Sequence, residues 1–305
     1  MNILLTTGGP VNFPGLGLTI EYLIEGFDVF GIHISLVGIL IAVAMFLGLF
    51  ITEHLAKKTE QNTEHYLDLA IRLVFAGIIG ARVGYVLSHW QYFITDQGSV
   101  FNINDGGMSA PGAIIAGLIV SFVYCRQKKL SWLQVCDTAM PGILTGQVLA
   151  SLGCFFGRNM LGTYSDGLFA MQVAVQDVDA KAVRLSRASS NLVRGNFLQV
   201  HPVALYETLI LFLLLITLFV LWKLKKMNGI ILSIYLICYG LMVFGMEFIR
   251  LDSQKIMGSS FSIEHIVAAG LVVTGLLILT DQIKKTRAIQ KAQPKNLNTA
   301  KKKLI

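Results

Sequence analysis

Seven stretches of this chain stay apolar for about the thickness of a bilayer, and that recurrence limits the fold more than any other feature. They cover residues 31–52, 70–89, 111–126, 138–156, 203–224, 229–249 and 263–283. A helix needs about 17–25 residues to cross the hydrocarbon core. Inside a bilayer every backbone N–H and C=O must find its partner within the protein, which restricts spanning segments to helices or closed barrels. Runs this long read as helices rather than strands. Composition agrees, with 54% apolar and only 14% charged residues, against about 25% charged in a soluble domain. The expected fold is an all-α polytopic membrane protein with about seven transmembrane helices. The third run is short and glycine-rich, and is expected to tilt or to pack on the protein interior.

The links sort by charge. Lys57 and Lys58 follow the first run, Arg126, Lys128 and Lys129 the third, and Lys223, Lys225 and Lys226 the fifth. Lys284, Lys285, Arg287, Lys291, Lys295 and Lys301 to Lys303 follow the seventh, whereas residues 90–110 hold no Lys or Arg. Basic links remain on the cytoplasmic side. Seven spans place all of them on one side, so the N-terminus is expected outside and the C-terminus in the cytoplasm of a bacterium bounded by its plasma (inner) membrane. The resulting division is an external N-terminal segment (1–30), four spans (31–156), an external arm or head (157–202) that is β-rich near 168–175, three spans (203–285) and a basic cytoplasmic tail (286–305). The tail is expected to be disordered or drawn to anionic lipid. Residues 1–30 carry no Lys or Arg and lack the basic start of a cleaved signal peptide.

This charge pattern sets membrane orientation and gives no reason to expect nucleic acid as a partner. The four cysteines, Cys125, Cys136, Cys154 and Cys238, form no CxxC pair and read as small core-filling residues. The six histidines lack the spacing of metal ligands, so no metal is expected.

Charged groups within a span cost about 2.5–3.5 kcal/mol on insertion scales, so the few present mark either structural ion pairs or a site. Arg82 lies mid-run in Gly80-Ala81-Arg82-Val83-Gly84-Tyr85. Glu247 and Arg250, spaced i, i+3, share a helix face at the end of the sixth run, with Tyr239 further back on the same helix. His201-Pro202 opens the fifth helix, with proline suited to a first turn. His201 is expected at its outer mouth, able to titrate near neutral pH. Tyr206 follows, and Glu207 lies about one turn in, within reach of Arg82 or Arg250. Gly106 and Gly107 precede the third run, where backbone N–H groups and the helix dipole can attract phosphate. Together these groups suit an anionic lipid head group; the competing ligand is a transported solute.

The segments Gly80–Tyr85, Gly106-Gly107-Met108-Ser109, Asp137 with Pro141, Gly153 with Phe155 and Gly162, His201-Pro202 with Leu205-Tyr206-Glu207, and Tyr239-Gly240 with Glu247, Arg250, Asp252 and Ser253 resemble the prolipoprotein diacylglyceryl transferases in order and spacing, from about Phe30 to Lys284. The resemblance implies transfer of a diacylglyceryl group from phosphatidylglycerol to the lipobox cysteine thiol of a prolipoprotein signal peptide. Glycerol 1-phosphate leaves, and no metal or soluble cofactor is needed. It further implies that Tyr239, Glu247 and Arg250 line the cavity, with His201 among the catalytic groups, and that Arg82 and Tyr85 organise the cavity. Gly162 matches a family glycine.

The chain departs from the family pattern at several positions. Ser151 stands at the phosphate-contacting arginine, Cys154 at an asparagine and Asn159 at a glutamate. Pro111 replaces a His or Tyr, Ala204 a Gln and Val243 an Arg. Arg158, seven residues after Ser151, is expected on the same helix face and so able to supply the missing charge. Two other readings compete with the transferase: an impaired relative that binds lipid or lipoprotein, and a small-solute transporter.

Overall fold

The computed structural model describes residues 3–90, 93, 107–178, 193–194, 196–224, 228–253 and 261–292. Among them are seven α-helices: α1 (Leu36–Lys58), α2 (Thr63–Ser88), α3 (Ala110–Gln127), α4 (Trp132–Phe156), α5 (Val203–Leu224), α6 (Ile230–Glu247) and α7 (Ile263–Ala292). All but α6 are long and apolar enough to cross a membrane. The 18 residues of α6 rise about 27 Å, close to the ~30 Å hydrocarbon core. The protein is a multi-pass membrane protein. Its helices turn large apolar side chains such as Phe46, Phe75, Leu87 and Leu277 outward, as a chain solvated by lipid must.

Helix ends differ from the hydropathy boundaries where local chemistry intervenes. The first run loses its leading residues to a strand, because Ile32-His33-Ile34-Ser35 alternates with period two and pairs with the strand before it. Helix α2 begins a turn and more earlier than its apolar run, because the Asn62 side chain accepts from the Glu64 N–H at 2.9 Å and caps the helix. Helix α7 continues past Thr286 to Ala292, into the tail for which the sequence left open disorder or attraction to anionic lipid. Lys, Arg, Gln and Ala there are good helix formers, and Lys285 pairs with Asp281 at 2.7 Å, one turn back. Residues 293–305 lie outside the described residues.

Among the described residues eight strands accompany the helices: β1 (Ile3–Gly8), β2 (Val11–Phe13), β3 (Leu18–Ile20), β4 (Leu23–Val29), β5 (Ile32–Ser35), β6 (Met171–Ala174), β7 (Val193–Arg194) and β8 (Phe197–Val200). One sheet runs β1-β4-β5 and the other β3-β2-β6-β8-β7. The second joins two segments that the sequence analysis separated, since β2 of the N-terminal segment pairs antiparallel with β6 of the 157–202 link. Alternation explains its core: Val11, Phe13, Met171, Val173, Leu198 and Val200 fall on one face and are buried with Leu23 and Leu161.

Contacts divide the chain into two units: residues 1–48 with 140–305, and residues 49–139. In the first, Leu144 of α4, Leu211, Leu214, Leu215 and Leu218 of α5, and Ile231, Tyr235 and Met242 of α6 form the buried helical core. In the second, Tyr66 and Leu69 of α2 pack with Tyr124 and Cys125 of α3 and with Val135. Lipid gives helices no hydrophobic reason to associate, so close packing of small residues takes over. A Cβ on Gly80 would lie 2.3 Å from the Ala116 Cβ and 2.7 Å from the Gly112 carbonyl oxygen, so α2 and α3 cross at near backbone contact.

Candidate functional site

In the larger unit, a polar cavity of about 190 Å³ is lined by Val203 and Glu207 of α5, by Tyr239, Met242, Val243, Met246 and Glu247 of α6, and by Met160 and Arg250 beside the helix ends. It gathers four of the residues singled out from sequence: Glu207, Tyr239, Glu247 and Arg250. Arg250 is gripped on one edge by Asp252, with Nε donating to Oδ1 at 3.0 Å and Nη2 to Oδ2 at 3.1 Å. Its Nε also lies 3.9 Å from a Glu247 oxygen. Burial works against the charged guanidinium, but Asp252, Glu247 and Glu207 outweigh it and raise its pKa above the ordinary value. Glu247 is only 3% exposed, and neither of its carboxylate oxygens has a hydrogen-bond partner among the described residues. A buried carboxylate without a hydrogen bond is costly, and the neighbouring Arg250 charge offsets part of that cost.

Tyr239 is placed from behind. Its ring stacks on Tyr235 at 5.4 Å and 11°, and the Tyr235 hydroxyl donates to Gln147 Oε1 at 3.0 Å. Neither Gln147 nor Tyr235 was marked from sequence, nor was the grip of Asp252 on Arg250. An isolated Gln in an apolar run was the available signal for the first. The second has none, because a two-residue spacing carries no helical logic.

Gly162 does not line the cavity; it joins the strips that hold it. Its N–H donates to the His201 carbonyl at 3.0 Å, Thr163 N–H to Ile249 O at 2.7 Å and Leu251 N–H to Leu161 O at 3.0 Å. Gly162 thereby bridges Arg250. A Cβ on Gly162 would meet the His201 Cβ at 2.6 Å, so only glycine permits the approach. His201 Nδ1 lies 3.5 Å from the Tyr206 hydroxyl. Burial pushes the imidazole below its ordinary value, away from the neutral-pH titration that the sequence suggested.

Ser151 is buried, and its hydroxyl donates to the Ala204 carbonyl at 3.1 Å; it ties α4 to α5. Arg158 is a correction. Helix α4 ends at Phe156 and Arg158 takes a left-handed φ of 51°, so seven-residue spacing does not put it on the face of Ser151. Its side chain is 2% exposed. It is spent on the Glu25 carboxylate, on the Gly9 carbonyl at 2.9 Å and on Asp177 at 3.8 Å. Arg158 locks the N-terminal strands to the 157–202 link.

The remaining candidates belong to the 49–139 unit. Arg82 Nη1 donates to the Gly107 carbonyl at 3.0 Å, and the guanidinium lies over the rings of Tyr85 and Phe93 at 5.8 and 5.7 Å. Gly107 adopts φ 85° and a Cβ there would strike the Tyr85 ring at 2.3 Å. Gly107 therefore offers Arg82 a carbonyl, in place of the N–H donor expected from the sequence. Gly106 lies outside the described residues.

The fold and cavity define a class: a multi-pass membrane protein with a carboxylate–guanidinium pocket set between α5 and α6. Residues 26–280 match the family model described as prolipoprotein diacylglyceryl transferase. The chain belongs to that family. Among its relatives, the phosphatidylglycerol–prolipoprotein diacylglyceryl transferase of Finegoldia magna is 31% identical over 272 residues, covering 88% of this chain and 98% of the relative. The enzymes of the same name from Thermosynechococcus vestitus and Clostridioides difficile are 32% and 28% identical, over 71% and 74% of this chain and 77% and 83% of their own lengths.

Proposed function

We propose that this protein transfers the diacylglyceryl group of phosphatidylglycerol to the lipobox cysteine thiol of prolipoproteins, the first step of lipoprotein maturation. A C–S thioether bond forms, the glyceryl C–O bond to phosphate breaks, and glycerol 1-phosphate carries away the electron pair. The observation that carries this reading is the pocket in which Arg250, held by Asp252, faces the unsatisfied Glu247 carboxylate, in a chain matching the family along most of its length.

Each group has a task. Arg250 binds the phosphate and stabilises its growing charge as the bond breaks. Glu247 accepts a hydrogen bond from the bound substrate, and Tyr239 and Glu207 shape the wall. The thiolate is the nucleophile, so a base is required, and both Glu247 and Glu207 are positioned to compete for that role. The family resemblance assigns Arg82 and Tyr85 to substrate binding in this reaction, and His201 with Tyr206 supports the pocket through Gly162. The partners are phosphatidylglycerol, prolipoprotein signal peptides and surrounding membrane lipids. The basic links face the cytoplasm of the plasma membrane, and residues 1–30 and 157–202 lie outside.

Purified protein incubated with phosphatidylglycerol labelled in its glyceryl moiety and a lipobox peptide is expected to yield labelled thioether peptide. It is also expected to rescue a bacterium depleted of its own transferase. Absence of both, with the protein folded and inserted, overturns the assignment.

A further inference from the structure

Beyond the crossing of α2 and α3 at Gly80, the two helices leave a groove on the face of the 49–139 unit. One part, about 630 Å³, is lined by Arg72, Phe75, Ala76, Ile79, Gly80, Val83, Ala116, Ile119 and Val120. The next, about 360 Å³, shares Arg72, Ile119 and Val120 and continues past Val123 and Tyr124 to Gln127. The wall is almost wholly apolar until it reaches Arg72. From Val83 to Arg72 on α2 the helix rises about 16 Å, close to the depth of one leaflet, half of the ~30 Å hydrocarbon core. The length therefore suits one acyl chain rather than a second helix crossing the whole bilayer.

The polar end carries the second observation. Arg72 lies over the Tyr124 ring at 5.4 Å and its Nε donates to Asp68 at 2.8 Å. Tyr124 in turn holds His65 at 3.2 Å. Gln127, which closes the groove, is the last residue of α3, in the sequence Arg126-Gln127-Lys128-Lys129. Against the carboxylates of Asp68 and Glu64 on α2 stand Arg72 in the groove and Arg126, Lys128 and Lys129 flanking Gln127 in sequence at the end of α3, which leaves a surplus of positive charge. Basic residues there attract anionic lipid heads.

We infer that the α2–α3 groove is a binding site for an anionic phospholipid, one acyl chain lying along Phe75, Ile79, Ile119 and Val120 and the phosphate meeting Arg72 and the basic end of α3. None of these residues belongs to the α5–α6 pocket, so this lipid is an occupant distinct from the transferred one.

The test uses the full chain in nanodiscs of zwitterionic lipid. The probes are trace phosphatidylglycerol or phosphatidylcholine bearing a photoreactive group on one acyl chain, with crosslinked peptides mapped by mass spectrometry. Labelling of residues 72–83 and 116–127 is expected to be about fivefold stronger with the anionic probe. Arg72→Gln is expected to abolish that preference, and Val120→Trp to displace the chain. Millimolar inorganic phosphate is expected to leave labelling unchanged. Equal labelling by both probes overturns the inference, as does loss of labelling in phosphate, which marks a free-anion site. Crosslinks between two copies at this face assign the groove to a dimer and overturn it too. Because Val120→Trp alters packing, Arg72→Gln decides where the two variants disagree. The readout is the location of labelling, so it stands or falls separately from diacylglyceryl transfer.

Discussion

Arg158 and Arg250 lie in the same unit, and both face carboxylates, yet they do opposite things. Arg158 is sealed at 2% side-chain exposure and spends its guanidinium on Glu25, Asp177 and a backbone carbonyl. Arg250 is 28% exposed, is hydrogen-bonded along one edge by Asp252, and borders a cavity beside Glu247, whose carboxylate lies 3.9 Å away and has no hydrogen-bond partner among the described residues. A guanidinium sealed from solvent among partners on separate segments holds those segments together. One left partly open beside a cavity has a face free to meet a ligand, which is the role proposed for Arg250. Sequence alone ranks the two similarly, and only the pattern of neighbours separates them.

The comparison breaks if the wrong arginine proves catalytic. Arg158→Ala removes one partner from a buried ion cluster, which costs about 3–5 kcal/mol where both partners are sealed. Glu25 is 42% exposed, so the lower part of that range is expected, read as lost thermal stability in detergent. Any folded fraction keeps its transfer rate; a stable but inactive Arg158→Ala reverses the roles. Arg250→Ala is expected to lower transfer about 10²–10³-fold with little change in unfolding temperature. Gly162→Ala forces His201 away from a 2.6 Å contact, and overpacking of this kind costs about 1–3 kcal/mol. Stability and transfer are expected to fall together, because the same strip holds Arg250.

Glu247→Gln keeps shape and removes charge. If Glu247 is the base, transfer collapses at neutral pH and recovers in part at high pH, where the thiol ionises unaided. If it only accepts a hydrogen bond, the pH profile keeps its shape. The smallest effect concerns His201. Its folded pKa is depressed by burial, so the unfolded chain takes up a proton first as pH falls through about 6.5. Stability is then lost on acidification until the folded form also protonates. His201→Gln is expected to flatten that slope in unfolding measured against pH.

The helical body was legible because lipid imposes a rule that a single chain displays: apolar length, then polar interruption. The site was legible in part for the same reason, since Glu247 and Arg250 are charges where charge is expensive. What escaped depends on long-range pairing. The strands of residues 3–35 alternate only over short spans, and the partner of β2 is β6, far along the chain. Asp252 and Gln147 act through contacts that no periodicity encodes. Arg158 was misplaced because helical spacing was extended past the end of α4, where the backbone turns left-handed.

The sheet that joins β2 to β6 and β8 also constrains biogenesis. Gly9 and Asp177, which hydrogen-bond across its margin, are 168 residues apart. At roughly 5–20 residues per second, ribosomes need on the order of 10–30 s to supply the missing partner after the first strands emerge. Throughout that interval the leading strands have unpaired backbone edges while four helices are threaded into the bilayer. Closure of this layer is therefore a late step in maturation of the polypeptide, and a chain truncated before residue 200 would present an exposed edge to chaperones and proteases.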